Sequence, residues 1–164
     1  MQRPKPPLLK SLKIISGGQT GADRAALDWA IKGHRPHGGW CPKGRWAEDG
    51  PISERYLLQE TPSSNPAQRT DWNVRDSDGT AIFSVASTLS GGSRLTAKFA
   101  RNYGKPWLHL HSLVPAPALA LSQFVRRHKI KVLNVAGPRA SQAPPIGKFV
   151  RAILEQAFNS SVHL

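Results

Sequence analysis

The chain has 164 residues, 39% of them hydrophobic, and a formal net charge of +13. That length suits one domain with a sizeable core, and the grouping of the apolar residues excludes a disordered chain. The longest apolar stretch, residues 113–121, is too short for a bilayer and carries Pro115 and Pro117. A single cysteine, Cys41, cannot build a disulfide framework. The sequence therefore predicts a protein of the reducing cytoplasm with no membrane span. Residues 1–11, basic and proline-rich, read as a flexible leader, and 12–164 as a single domain. The charge is lopsided: +3 over residues 1–78 and +10 over 79–164, where Glu155 is the one acid. Such a field draws in anions, although the same charges also serve as a solvated surface.

In chain order, the apolar run 12–16 predicts a buried first strand ended by Gly17 and Gly18. A helix follows, with Thr20 and Asp23 at capping-box spacing, Ala22, Ala25, Ala26, Trp29 and Ala30 on one face, and Gly33 as a left-handed stop. Residues 37–40 form a weak second strand that ends in the turn 41–44. Residues 41–55 read as loop and 56–61 as a further strand. A turn at 63–66 leads to a helix over 67–75 with Trp72 inward. Residues 80–86 give the clearest strand, followed by the glycine turn 90–93 and a helix to about 103, stopped by Gly104 and Pro106. A strand at 107–110, a helix at 116–128 and a strand at 130–135 come next. Pro144 and Pro145 then set the start of a last helix, 146–158. This alternation predicts an α/β fold: a Rossmann-like three-layer sandwich, with a mostly parallel sheet and helices on both faces.

In such a sheet ligands sit beyond the carboxyl ends of the strands, so the strand-to-helix turns are the candidate site. The first is Gly17, Gly18, Gln19, Thr20 and Gly21, where glycines let an anion approach backbone amides at a helix start. It matches neither the GxGxxG dinucleotide fingerprint nor the GxxxxGK[ST] phosphate loop, and it reads otherwise as a tight turn. The second is Gly91, Gly92 and Ser93, with Arg94 as a forked cation for phosphate. The third places Gly137 and Arg139 at a strand end. A fourth element offers Lys43 and Arg45 to an anion, with Trp40 or Trp46 to stack on a flat heterocycle or to pack. Asn73 and Asp78, in the polar stretch 69–78, are suited to ribose or pterin N–H groups, or to capping. Cys41 reads as a packed thiol, and no His/Cys cluster has metal-ligand spacing, so no protein-bound metal is expected. Spacing alone yields no nucleophile, base and orienter, which favours a binding protein over an enzyme.

The stretches ISGGQTGADRAALDWA, GGWCPKGRWAEDGPI, YLLQET, RTDWNVRDSDGTAIFS, GGSRLT, GKPWL and LNVAGPRAS, in this order, resemble the molybdenum cofactor carrier family over about residues 12–157. That family is related to the SLOG nucleotide-binding superfamily. The resemblance implies a Rossmann-like fold, a homo-oligomer (dimer or tetramer), and molybdenum cofactor as carried ligand. This cofactor is an anionic, phosphate-bearing pterin whose dithiolene holds the metal. The partners it implies are apo-molybdoenzymes. The related LOG phosphoribohydrolases use PGGxGTxxE to cleave a ribosyl bond. Here the matching stretch is SGGSRLTAK, with Lys98 where the glutamate would stand, which counts against that hydrolysis. An alternative is a SLOG-type protein that binds or hydrolyses a nucleotide or ADP-ribose-like ligand, with Asp23, Glu48 and Asp78 as the acids to test. A nucleic-acid binder using the basic carboxyl half ranks last, since no RNA-binding motif supports it. The positive charge exceeds what a small-molecule site needs and leaves room for another partner.

Overall fold

The computed structural model describes residues 11–159, so the leader expected over 1–11 falls, but for Ser11, outside the described residues. Strand β1 (Lys13–Ile15) leads through the glycine turn into helix α1 (Ala22–Lys32). Four two-residue strands follow: β2 (His37–Gly38), β3 (Trp40–Cys41), β4 (Trp46–Ala47) and β5 (Gly50–Pro51). Then come β6 (Gln59–Glu60), α2 (Pro66–Arg75), β7 (Gly79–Phe83), α3 (Gly91–Asn102) and β8 (Trp107–Leu110). Helix α4 (Pro117–Arg127), β9 (Val132–Ala136) and α5 (Ile146–Phe158) complete the described chain.

Five strands form one parallel sheet in the order β2-β1-β9-β7-β8, with Ile14 opposite Leu133 and Ile82 opposite Ala136. Because side chains alternate along a strand, Ile14, Leu133, Ala81 and Phe83 point to one face. There they meet Ala26 of α1, Leu121 of α4 and Leu154 of α5 in the main core. The other face carries α2 and α3, which pack on each other. This is the three-layer sandwich the alternation predicts. Every residue of β7 is buried, as a central parallel strand requires.

The stretch 37–61 departs most from expectation. The strand expected over 37–40 splits at Gly39, whose φ of 127° turns the chain out of the main sheet. A Cβ at position 39 would lie 2.3 Å from the Ser16 carbonyl oxygen. Beyond it, β3 pairs with β6, so of the strand expected over 56–61 only Gln59–Glu60 remains. The loop expected over 41–55 contains the antiparallel hairpin β4-β5. Arg45 organises it. From a left-handed backbone (φ 53°), its guanidinium donates to the carbonyls of Ile52, Ser53, Tyr56 and Leu58 at 2.8–3.2 Å. A periodicity reading cannot find a segment whose order comes from one side chain bonding backbone. Two helix-end expectations also change. Gly33 has φ −87°, and His34 takes the left-handed conformation after α1 (φ 53°). Thr20 does not cap α1: the N-cap is Gly21, with no side-chain hydrogen bond.

Four charge-assisted bonds from one half-buried guanidinium make Arg45 a structural residue. Arg45→Ala is expected to lower unfolding stability by about 2–4 kcal/mol, and Arg45→Lys to recover little of it, because one ammonium cannot span four carbonyls. Urea denaturation of the two variants measures this.

Candidate functional site

A cleft opens at the carboxyl edge of the sheet, between the turns after β1, β7 and β9. Its outer part measures about 380 Å³ and an inner recess about 70 Å³. Asp23, Arg69, Gly92, Ser93 and Gly137 line both, so the two are one space.

The turn after β1 is closed. Asp23, in the first turn of α1, accepts the Gln19 N–H on Oδ2 at 3.3 Å. The Gly18 N–H reaches Ser16 Oγ, the Thr20 N–H reaches Gln19 Oε1, and the Ala22 N–H donates to the Pro138 carbonyl. The positive end of α1 thus already faces the chain's own carboxylate and the Pro138 carbonyl, while among the described residues nothing accepts the Gly21 and Asp23 N–H groups. The glycines here serve close packing. A Cβ at Gly17 would fall 2.0 Å from Arg69 Nη1, and one at Gly21 (φ 82°) would fall 2.5 Å from the Pro138 oxygen. Gly18 (φ 76°) lies against Leu58. Thr20 donates to Glu48 and accepts from the Ala140 N–H. Glu48 also accepts from the Ser141 hydroxyl, and Arg24 bonds Asp49. The β4-β5 hairpin is thereby clasped onto the start of α1 and the turn after β9.

The turn after β7 is open. The first turn of α3 carries no acid and no side-chain cap. Among the described residues nothing accepts the Gly91 and Gly92 N–H groups, and a Cβ at either glycine would meet open space. The unopposed helix N-terminus here faces the cleft. Arg69 stands across from it. Its Nη1 donates to the Gly17 carbonyl at 3.1 Å and lies 3.3 Å from Asp23 Oδ2. Arg139 and Gly137 line the outer part. A Cβ at 137 would lie 2.7 Å from the Phe83 oxygen, so this glycine too is set by packing. At the far wall Ser84 Oγ lies 2.5 Å from His109 Nε2 and donates to the Ala86 carbonyl. Burial lowers the His109 pKa, and the neighbouring His111 lowers it further.

The other expected residues lie elsewhere or act differently. Asp78 sits at the opposite, amino edge of the sheet. Its Oδ2 accepts the Lys131 and Val132 N–H groups at 2.9 Å, so it ties β9 beside β7 and cannot reach the cleft. Arg45 is spent on backbone carbonyls. Lys43 and Arg94 are exposed and line neither part of the cleft. Asn73, buried in α2, lines the inner recess while it clasps the Trp40 backbone through both amide atoms, at 2.8 and 2.9 Å. Trp40 bonds Asp76 and packs edge-on against Trp72, away from the cleft. No pattern within the polar stretch 69–78 singles out Arg69, the central cation. Its partner Gly17 lies 52 residues away.

Burial raises the Asp23 pKa to about 6, against the lowering pull of Arg69, of the Gln19 N–H and of Arg24. A carboxyl whose folded pKa lies above its unfolded value favours the fold while protonated. That contribution is full below about pH 4 and is lost as pH rises through about 6. Asp23→Asn lacks this titration. Its stability relative to wild type is expected to rise by about 1–3 kcal/mol between pH 4 and 7. Thermal or urea unfolding across that range tests it, and parallel curves for the two proteins would contradict it.

Comparison with solved structures finds one from Syntrophus aciditrophicus SB, named "putative molybdenum carrier protein". It shares 50% identity with this chain over 92% of this chain and 96% of that one, with a TM-score of 0.86. Comparison with curated proteins gives no match. Among the described residues no helix is long and apolar enough to cross a membrane, and no three His, Cys, Asp or Glu side chains gather as metal ligands. The family model described as the circularly permutated YpsA SLOG family matches residues 14–158, and the chain belongs to that family.

Proposed function

We propose that this protein binds an anionic, phosphate-bearing small molecule in the cleft, and that molybdenum cofactor is the ligand it carries. The observation that supports this most directly is the unopposed start of α3, with the free Gly91 and Gly92 N–H groups facing Arg69 and Arg139 across about 380 Å³. A terminal phosphate seats on the α3 amides. The two guanidiniums supply the forked charge that phosphate oxygens take. The inner recess, with Asp23, Thr96 and Asn134, offers polar groups to the edge of a flat ring. The carrier name of the similar Syntrophus protein supports the choice of ligand. The metal of such a cargo stays with the pterin's own dithiolene.

The test is anaerobic incubation of purified protein with isolated molybdenum cofactor, then gel filtration with molybdenum and pterin measured in the protein peak. Gly92→Asp and Gly92→Asn are the informative variants. Position 92 has open space for a side chain and no positive φ. An aspartate there favours the helix start but fills the anion seat with charge. Gly92→Asp is expected to weaken binding at least about 10-fold more than Gly92→Asn, with no loss of thermal stability. Equal binding by the two variants would move the phosphate away from α3. Co-elution of ADP-ribose but not of the cofactor would replace the ligand with a nucleotide of the SLOG type.

A further inference from the structure

Buried polar atoms in a folded protein are almost always hydrogen-bonded, so a buried side chain with an unmet atom on a cleft marks where a ligand's polar edge fits. The inner recess holds three such atoms. Asp23 is 7% exposed and Asn134 3%. Asp23 takes the Gln19 N–H and the Arg69 guanidinium on Oδ2 alone, and among the described residues nothing donates to its Oδ1. Asn134 lies between Leu133 and Val135 of β9, whose side chains enter the main core, so its own side chain points to the opposite face, toward α2 and α3. There its Nδ2 donates to Thr80 Oγ1 at 3.3 Å, and no described group donates to its Oδ1. Arg69 spends Nε on the Pro66 carbonyl and Nη1 on the Gly17 carbonyl and Asp23, which leaves Nη2 with no acceptor among the described residues. All three residues line the recess. The one described side-chain atom both sealed from solvent and unpartnered is Arg24 Nε, so these three atoms open onto the recess.

Together they make one donor and two acceptors, supplied by α2, α1 and β9. The complementary edge of a flat ring carries one acceptor and two donors. An aminopyrimidinone edge has that set: a carbonyl oxygen, a ring N–H and an exocyclic amino group. Guanine and pterin share it. Adenine sets an amino group beside a bare ring nitrogen, uracil sets one N–H between two carbonyls, and cytosine has one amino group beside two acceptors. None of these offers two adjacent donors.

We infer that Asp23, Asn134 and the free arm of Arg69 select ligands that carry an aminopyrimidinone ring, so that the recess accepts guanine as well as pterin and rejects adenine. Gly92 and Ser93 border both the recess and the outer cleft, so one ligand reaches both, with its ring inside and its phosphate outside. The inference rests on the reading of this cleft as the ligand site and not on the identity of the cargo.

The probes are two matched pairs: GMP with IMP, which lacks the amino group, and hydroxymethylpterin with hydroxymethyllumazine, in which a carbonyl oxygen replaces it. AMP is the third nucleotide. Titration calorimetry reads their dissociation constants at about pH 7.5, where Asp23, with its pKa pushed up to about 6, is ionised. In every pair that binds, the amino-bearing member is expected to bind at least about 10-fold tighter, and GMP to exceed AMP by as much, because the other ring leaves a buried acceptor unmet. In Asp23→Asn the Gln19 and Arg69 donors hold the amide oxygen, so an N–H faces the recess. Asn134→Ala removes the second acceptor. Each is expected to reduce the preference to less than about 3-fold, whereas a residue that only supports the fold would weaken both members of a pair alike. No binding of any probe, equal affinity within a pair that binds, AMP binding as tightly as GMP, or a preference retained by Asp23→Asn would overturn the inference. Molybdenum cofactor that fails to co-elute while GMP is preferred over IMP would remove the cargo proposed above and leave this specificity in place. Cofactor that co-elutes while a pair binds without discrimination would do the reverse.

Discussion

The contact between Asp23 and Arg69 organises the carboxyl edge of this sheet. Asp23 holds the turn after β1 through the Gln19 N–H, and Arg69 reaches from α2 to the Gly17 carbonyl and to Asp23 itself. A buried carboxylate beside a single guanidinium is an expensive arrangement, and removing either partner leaves the other stranded. The consequence for the site is a division of labour between two helix starts. One faces a carboxylate of the chain itself, and the other is left open toward the cleft. The same pair sets the charge of the inner recess, since the guanidinium is offset by a carboxyl whose ionisation burial resists.

The layered parallel sheet was legible in the sequence because its strands and helices announce themselves by apolar period and by glycine and proline punctuation. Helix α5 and strand β8 coincide with the residues expected, and β7 differs only at its ends. What was not legible has one physical character: order built by a side chain on distant backbone. Arg45 gathering four carbonyls, Asn73 clasping Trp40 and Asp78 pinning Lys131 and Val132 leave no periodic trace. Each of these polar residues reads from the sequence as a candidate ligand contact. The strand-to-helix turns are the place to look, but the turn that looks most site-like, with three glycines and a threonine, already holds a carboxylate of its own. The second turn has glycines of a different kind, with open space in place of a neighbouring atom.

The acids of the molecule are largely occupied by its own structure, and the amino-terminal half holds all but one of them. They pair with arginines, hydroxyls and amides around the hairpin, α1 and α2. Among the described residues the cations of the carboxyl half on α3, on α4 and just before β9 form no ion pair. Charge therefore follows the strand order: balanced at the β2 edge and positive at the β8 edge. A field of this sign raises the encounter rate of anions with the molecule.

Gly17 and Arg69 also bear on how this fold can vary. The guanidinium lies where any side chain at position 17 would have to begin, so the two residues share one volume. A side chain at 17 would push the Arg69 guanidinium off the Gly17 carbonyl and Asp23, and the loss of Arg69 would open the space its guanidinium now fills. Two positions 52 residues apart thus set the shape and charge of one recess together.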